Sequence, residues 1–234
     1  MSESEKVLLI TGASSGIGAA TARLLAGEYR LVLAGRRREP LDELAAELGG
    51  PERAIVAQCD VGEWDQVEAM AAAAIEAFGR IDVVFANAGF GAARGFLEET
   101  PEQWRSMVLT NVLGPALTIR ATLPHLLERG EGHVIVTSSI AGRRVLPGSM
   151  YSATKHAATA IGEALRQELR GLDDGNRIKM TLIEPGMVDT PFFDNRPDSA
   201  LADEDIANAI AYALSQPASV DVNEILVRPI TQGT

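Results

Sequence analysis

The feature that most constrains this chain is a rhythm. Short runs of branched apolar residues alternate with longer amphipathic stretches. The apolar runs fall at 7–10, 31–34, 54–58, 83–86, 133–137, 179–183 and 224–227. Runs this short, with few polar interruptions, fit parallel strands buried on both faces. Between them, helical spacing covers 16–27, 41–48, 64–78, 101–129, 150–172 and 204–215. Such alternation implies right-handed crossovers, because a parallel neighbour is reached only by a connection that recrosses the sheet. The expected fold class is α/β, a doubly wound parallel sheet of seven strands flanked by helices. The 234 residues suit a single domain spanning 1–234, and no repeat or shift of composition marks a second.

In open sheets of this kind, ligands bind beyond the carboxyl ends of the strands. The least regular segment, 184–203, leaves the sixth run at that end and carries Pro185, Gly186, Pro191 and Pro197. A loop of that length is expected to serve function, here as a substrate loop.

The first apolar run leads into Thr11-Gly12-Ala13-Ser14-Ser15-Gly16-Ile17-Gly18 and then a helix. Gly12 permits a sharp turn, Gly16 lets backbone approach a pyrophosphate, and Gly18 brings the helix close to the sheet. Unpaired N–H groups and the helix dipole favour an anion there. The spacing differs from the common dinucleotide fingerprint, and no P-loop lysine follows. Its place between strand and helix still points to a Rossmann-type dinucleotide site. The second run ends at Ala34-Gly35, followed by Arg36-Arg37-Arg38. A carboxylate at that point would grip the ribose hydroxyl of NAD, whereas an arginine accommodates the 2′-phosphate of NADP. NADP is therefore the expected cofactor, bound with help from Arg36 and Arg37, and NAD is the weaker fit.

Tyr151 and Lys155 are four residues apart near the start of a helical stretch, so they share a face. A free tyrosine titrates near ~10, too high for easy proton exchange at neutral pH. A neighbouring cation favours the phenolate, so the pair forms a plausible acid/base unit. Upstream, Ser138-Ser139-Ile140-Ala141-Gly142 closes the fifth run. A hydroxyl there faces the same crevice, and Ser139 could hold a substrate oxygen.

These motifs together resemble the short-chain dehydrogenase/reductase family in its single-domain branch, from Lys6 to about Pro229. Thr11–Gly18 matches the cofactor loop, and Cys59-Asp60-Val61 matches the adenine contact. Asn87-Ala88-Gly89 matches the family's NAG, although Ala86 stands where a further asparagine is usual. Pro185-Gly186-Met187-Val188-Asp189-Thr190 matches the loop over the nicotinamide. The resemblance implies reversible hydride transfer between nicotinamide and a carbonyl or secondary alcohol, with Asn111, Ser139, Tyr151 and Lys155 as the catalytic set. Tyr151 would exchange the proton. Lys155 would lower its pKa and bind the ribose. Ser139 would hold the substrate oxygen, and Asn111 would fix a relay water. It further implies cofactor contacts from Gly12, Ser14, Ser15, Gly16, Ile17, Gly18, Asp60, Val61, Asn87, Ala88, Gly89, Pro185, Gly186, Val188 and Thr190, besides Tyr151 and Lys155. Tyr151 follows Ser138 by 13 residues and Ser139 by 12. The family's usual spacing selects Ser138 and its Ser-x-x-Gly pattern selects Ser139, which is preferred here with Ser138 left open.

Composition bounds the rest. A net charge of −11 argues against nucleic-acid or anionic-membrane partners. The single cysteine, Cys59, permits no intrachain disulfide and reads as a small buried side chain. The polar N-terminus does not resemble a signal peptide, and no apolar run approaches a membrane span, so a cytoplasmic enzyme is expected. His125, His133 and His156 read as structural, and no metal site is expected. Asp82 is expected to bond backbone or a basic neighbour. Substrate walls are expected at 90–96, 141–150 and 187–196, including Phe90, Phe96, Leu146, Met187, Phe192 and Phe193. Arg94, Arg143 and Arg144 are candidate anion partners for a small hydroxy acid or ketone. Helices 101–129 and 150–172 match those through which the family forms homodimers or homotetramers. The rival readings are an epimerase or dehydratase, or a non-enzymatic NADP sensor, of the same fold.

Overall fold

Val7, Leu8, Leu9 and Ile10 are all fully buried, as a strand covered on both faces requires. They belong to β1 (Lys6–Thr11), an inner strand of the sheet. The computed structural model describes residues 5–91, 95–172, 176–191 and 199–233. The remaining strands are β2 (Tyr29–Gly35), β3 (Ala54–Gln58), β4 (Val83–Ala86), β5 (Glu131–Thr137), β6 (Arg177–Pro185) and β7 (Glu224–Val227). They lie in the order β3-β2-β1-β4-β5-β6-β7, every pair parallel. The strand order reverses between β1 and β4, the switch point at which such sheets open a crevice.

The helices are α1 (Gly16–Leu25), α2 (Arg38–Glu47), α3 (Trp64–Phe78), α4 (Pro101–Val108), α5 (Gly114–Arg129), α6 (Met150–Arg170) and α7 (Asp203–Ser215). They form two layers. Leu9, Val32, Val84, Val134 and Leu182 face α3, α5 and α6, while Leu8, Leu33, Phe85 and Ile183 face α1, α2 and α7. Strand alternation sends consecutive side chains into opposite layers, so the strands carry unbroken apolar runs. The outer strand β7 is the exception, with Glu224 and Leu226 exposed.

The stretch 101–129 is not one helix. Thr100 and Gln103 form a reciprocal cap that starts α4, and a π turn at Leu109–Leu113 separates α4 from α5. Such single π turns cluster at functional sites because they bulge the backbone without ending the helix. This one contains Asn111. At the other end of the sheet Asp82 ties β1 to the end of α5: its carboxylate accepts the Val7 N–H at 2.8 Å and pairs with Arg80 and Arg129.

Candidate active site

The turn after β1 is shaped by space as much as by charge. Gly12 has φ +67°, and a Cβ there would come within 2.9 Å of the Ala88 backbone. A Cβ on Gly18 would collide with the Gly12 carbonyl, so α1 can start close to the strand only with glycine there. Ser15 precedes the first turn of α1 without a side-chain cap, and that turn has no acidic residue. Its amides and dipole are thus available to an anion. Above the turn, the Thr190 side chain sits 3.0 Å from where a Gly16 Cβ would lie. The loop after β6 therefore closes over the glycine turn.

The arginines after β2 divide in role. The Arg37 guanidinium donates to the hydroxyls of both Ser14 and Ser15 at 3.0 Å. Arg36 contributes its carbonyl, which accepts the Gln58 amide at 3.1 Å. Asn87 stitches the switch point: its amide donates to the Thr11 carbonyl at 3.2 Å and accepts the Thr137 hydroxyl at 3.0 Å.

A cleft of about 600 Å³ runs from this turn across the carboxyl ends of β1, β4, β5 and β6. Every residue expected to contact the cofactor lines it except Gly18, which acts from beneath the turn. At its far end lie Ser139, Tyr151 and Lys155. The Ser139 hydroxyl bonds the Tyr151 phenol and also reaches the Pro185 carbonyl at 3.4 Å. The Ser138 hydroxyl turns the other way, to the Lys155 carbonyl at 3.1 Å and the Thr159 hydroxyl at 2.6 Å. The two serines are thus separated by direction, one toward the phenol and one into α6.

The Lys155 ammonium donates to the Thr137 carbonyl at 2.8 Å and lies 5.7 Å from the centre of the Tyr151 ring. Burial pushes Lys155 down to about 8. Burial also pushes the Tyr151 phenol up to about 12, against the pull of its hydrogen bond from Ser139. The net shift runs opposite to the lowering expected from Lys155 beside the phenol. The ammonium is directed at Thr137, and desolvation of the phenolate outweighs a cation on the ring face.

Asn111 reaches this region from the π turn. Its amide donates to the Phe90 carbonyl at 2.8 Å and to the Thr154 hydroxyl at 3.2 Å, and accepts the Phe90 N–H at 3.0 Å. The side chain is thereby a clamp between the end of β4 and α6, one residue before Lys155.

Phe90, Leu146 and Met187 line the cleft as expected. Phe96 stacks edge-on against Trp104, with ring centres 5.6 Å apart. Arg143 is not an anion partner at the cleft: it pairs with the buried Glu184 at 2.6 Å and with Glu224. Arg144 does not line the cleft. Arg94, Phe192 and Phe193 fall outside the described residues. Thr137, Thr154 and Gln232 carry site geometry that the sequence did not single out. Thr137 had one signal, its place at a strand end before the serines.

The other polar candidates are held by their own chain. His125 accepts the Ile81 N–H at 3.1 Å. His133 meets Thr181 at 2.7 Å, and burial pushes it down to about 3. Cys59 is buried and pushed up to about 11, which leaves an inert thiol. Among the described residues no cluster of three or more His, Cys, Asp or Glu could hold a metal, and no helix is long and apolar enough to cross a membrane.

The family model for short chain dehydrogenases matches residues 6–200. The chain belongs to this family. An uncharacterised oxidoreductase of Staphylococcus haemolyticus is 42% identical over 231 residues, covering 96% of this chain and 97% of the relative. An alcohol dehydrogenase of the archaeon Thermococcus sibiricus, complexed with 5-hydroxy-NADP, superposes with a TM-score of 0.88 at 34% identity, over 98% of each chain. A short-chain dehydrogenase/reductase of Burkholderia phymatum, complexed with NAD, superposes with a TM-score of 0.85 at 30% identity, over 97% of this chain and 90% of that one. The dehydrogenase fold is thus common to this chain and these relatives, and the two solved neighbours carry a nicotinamide dinucleotide.

Proposed function

We propose that this short-chain dehydrogenase uses NADP(H) to interconvert a carbonyl and a secondary alcohol, with Tyr151 exchanging the proton. The observation that carries this reading is the Ser139–Tyr151 hydrogen bond beside Lys155, in the same cleft as the glycine turn. The residues present fit a dinucleotide. Gly12 and Gly16 have positive φ, which shapes the turn for close backbone approach. The Val188 N–H, in the loop over the far end of the cleft, has no partner among the described residues.

Bound nicotinamide supplies or accepts the hydride. The protein's residues manage everything else. With its phenol near 12, Tyr151 carries its proton at neutral pH, the form that donates to a carbonyl oxygen. Ser139 holds that oxygen beside the phenol. Lys155, cationic below about 8, stabilises charge as the phenol gives up its proton, and would hold the nicotinamide ribose hydroxyls. Asn111 fixes the backbone that frames Lys155, its amide committed to Phe90 and Thr154, and would anchor a relay water there. Arg37, with Ser14 and Ser15, makes a basic notch suited to a 2′-phosphate, and 35–38 offers no carboxylate to bind a ribose hydroxyl. Phe90, Leu146 and Met187 favour an apolar or small ketone.

We also propose a homodimer or homotetramer built through α5 and α6. Ala158 and Leu165 face inward, but Ala153, Ala160 and Ala164 are exposed along α6. The reading is tested by NADPH oxidation across a carbonyl panel, with NADH alongside and alcohols in reverse. We expect net consumption of NADPH at limiting concentration well above that of NADH. An epimerase would consume neither, and equal use of both would remove the assignment to NADP.

A further inference from the structure

The C-terminal tail reaches the cleft from 45 residues beyond the loop it meets, Met187 to Gln232. After β7 the chain turns at Pro229, whose carbonyl accepts the Gln232 N–H at 3.0 Å. That turn places the Gln232 side chain in the cleft wall, where its Oε1 accepts the Met187 N–H at 2.9 Å. The fit depends on Gly186. A Cβ there would collide with Gln232 Oε1 and approach the Arg228 side chain to 3.1 Å. The Gly186 N–H donates to the Val227 carbonyl at 2.7 Å. On its other side, the Met187 carbonyl accepts the Leu201 N–H at 2.9 Å, and the Asp189 N–H donates to the Leu201 carbonyl at 2.8 Å. Residues 186–189 are thus stretched between the tail and Leu201, and the N–H of the cleft-lining Val188 has no partner among the described residues.

We propose that Gln232 is a positioning residue, a latch by which the C-terminal tail sets the backbone of 185–188 and so aims Val188 at the nicotinamide half of the cofactor. This rests on the dinucleotide reading above. The latch touches neither the glycine turn nor Arg37, so its loss acts on one half of the cofactor only.

The test uses Gln232→Met, which keeps the length of the side chain and removes its acceptor. NADPH and 2′,5′-ADP, the adenosine half alone, are titrated into both proteins, and hydrogen exchange of the Met187 amide is followed. We expect faster exchange at Met187, about fivefold weaker NADPH binding (the loss of one hydrogen bond) and unchanged 2′,5′-ADP binding. Gly186→Ala should weaken NADPH similarly in the wild-type background and add little to Gln232→Met. Unchanged exchange at Met187 overturns the latch, as does equal weakening of both nucleotides. A wild-type protein that binds neither nucleotide defeats the dinucleotide reading instead, and the exchange measurement then still decides the latch.

Discussion

At the amino end of the sheet, the Asp82 carboxylate meets the Val7 N–H, Arg80 and Arg129, and no part of that cluster lines the cleft. At the carboxyl end, Lys155 is also buried and Tyr151 half-buried, but they stand with Ser139 on the cleft wall. The first cluster closes on itself and pins β1, β4 and β5 together. The second shifts two groups toward their neutral forms, the phenol upward and the amine downward. Buried charge by itself therefore does not mark a site; buried charge that faces accessible space does.

The comparison predicts separable effects. Asp82→Ala should cost on the order of 3 kcal/mol of stability in urea unfolding, since it takes a carboxylate from Arg80 and Arg129 and leaves the Val7 N–H without its acceptor. Its turnover per folded molecule should match the wild type; a fall in turnover without a fall in stability would erase the distinction between the ends. Ser139→Ala should lower kcat by about 10²–10³-fold, the cost of one donor at a reacting oxygen. Ser138→Ala should spare kcat and lower the melting temperature, because that hydroxyl serves α6. The opposite pattern would exchange the two serines. Arg37→Ala should raise the KM for NADPH about tenfold or more, with NADH changed little. Arg36→Ala should act in the same direction, and equal effects on both cofactors would remove the phosphate role.

Much of this was legible in the sequence because it is written locally. Buried strands need apolar runs, the phosphate turn needs glycines at fixed steps, and a pair four apart on a helix must share a face. What stayed hidden depends on contacts across the chain. The π turn at Leu109–Leu113 barely disturbs the apolar spacing of 101–129, so the sequence there reads as one helix. Arg143 looked available until Glu184 and Glu224, on strands far along the chain, met it. Gln232 has no local signal at all; only the turn at Pro229 and the narrowness of Gly186 give it a role. The direction of the Tyr151 shift was likewise a matter of burial, which spacing does not report.

The most direct test of the account is Tyr151→Phe, measured for NADPH affinity by titration and for turnover on a carbonyl that the wild type reduces. We expect affinity within about twofold of wild type and turnover lower by about 10²–10⁴-fold, the worth of a positioned proton donor. Turnover within threefold of wild type would contradict it.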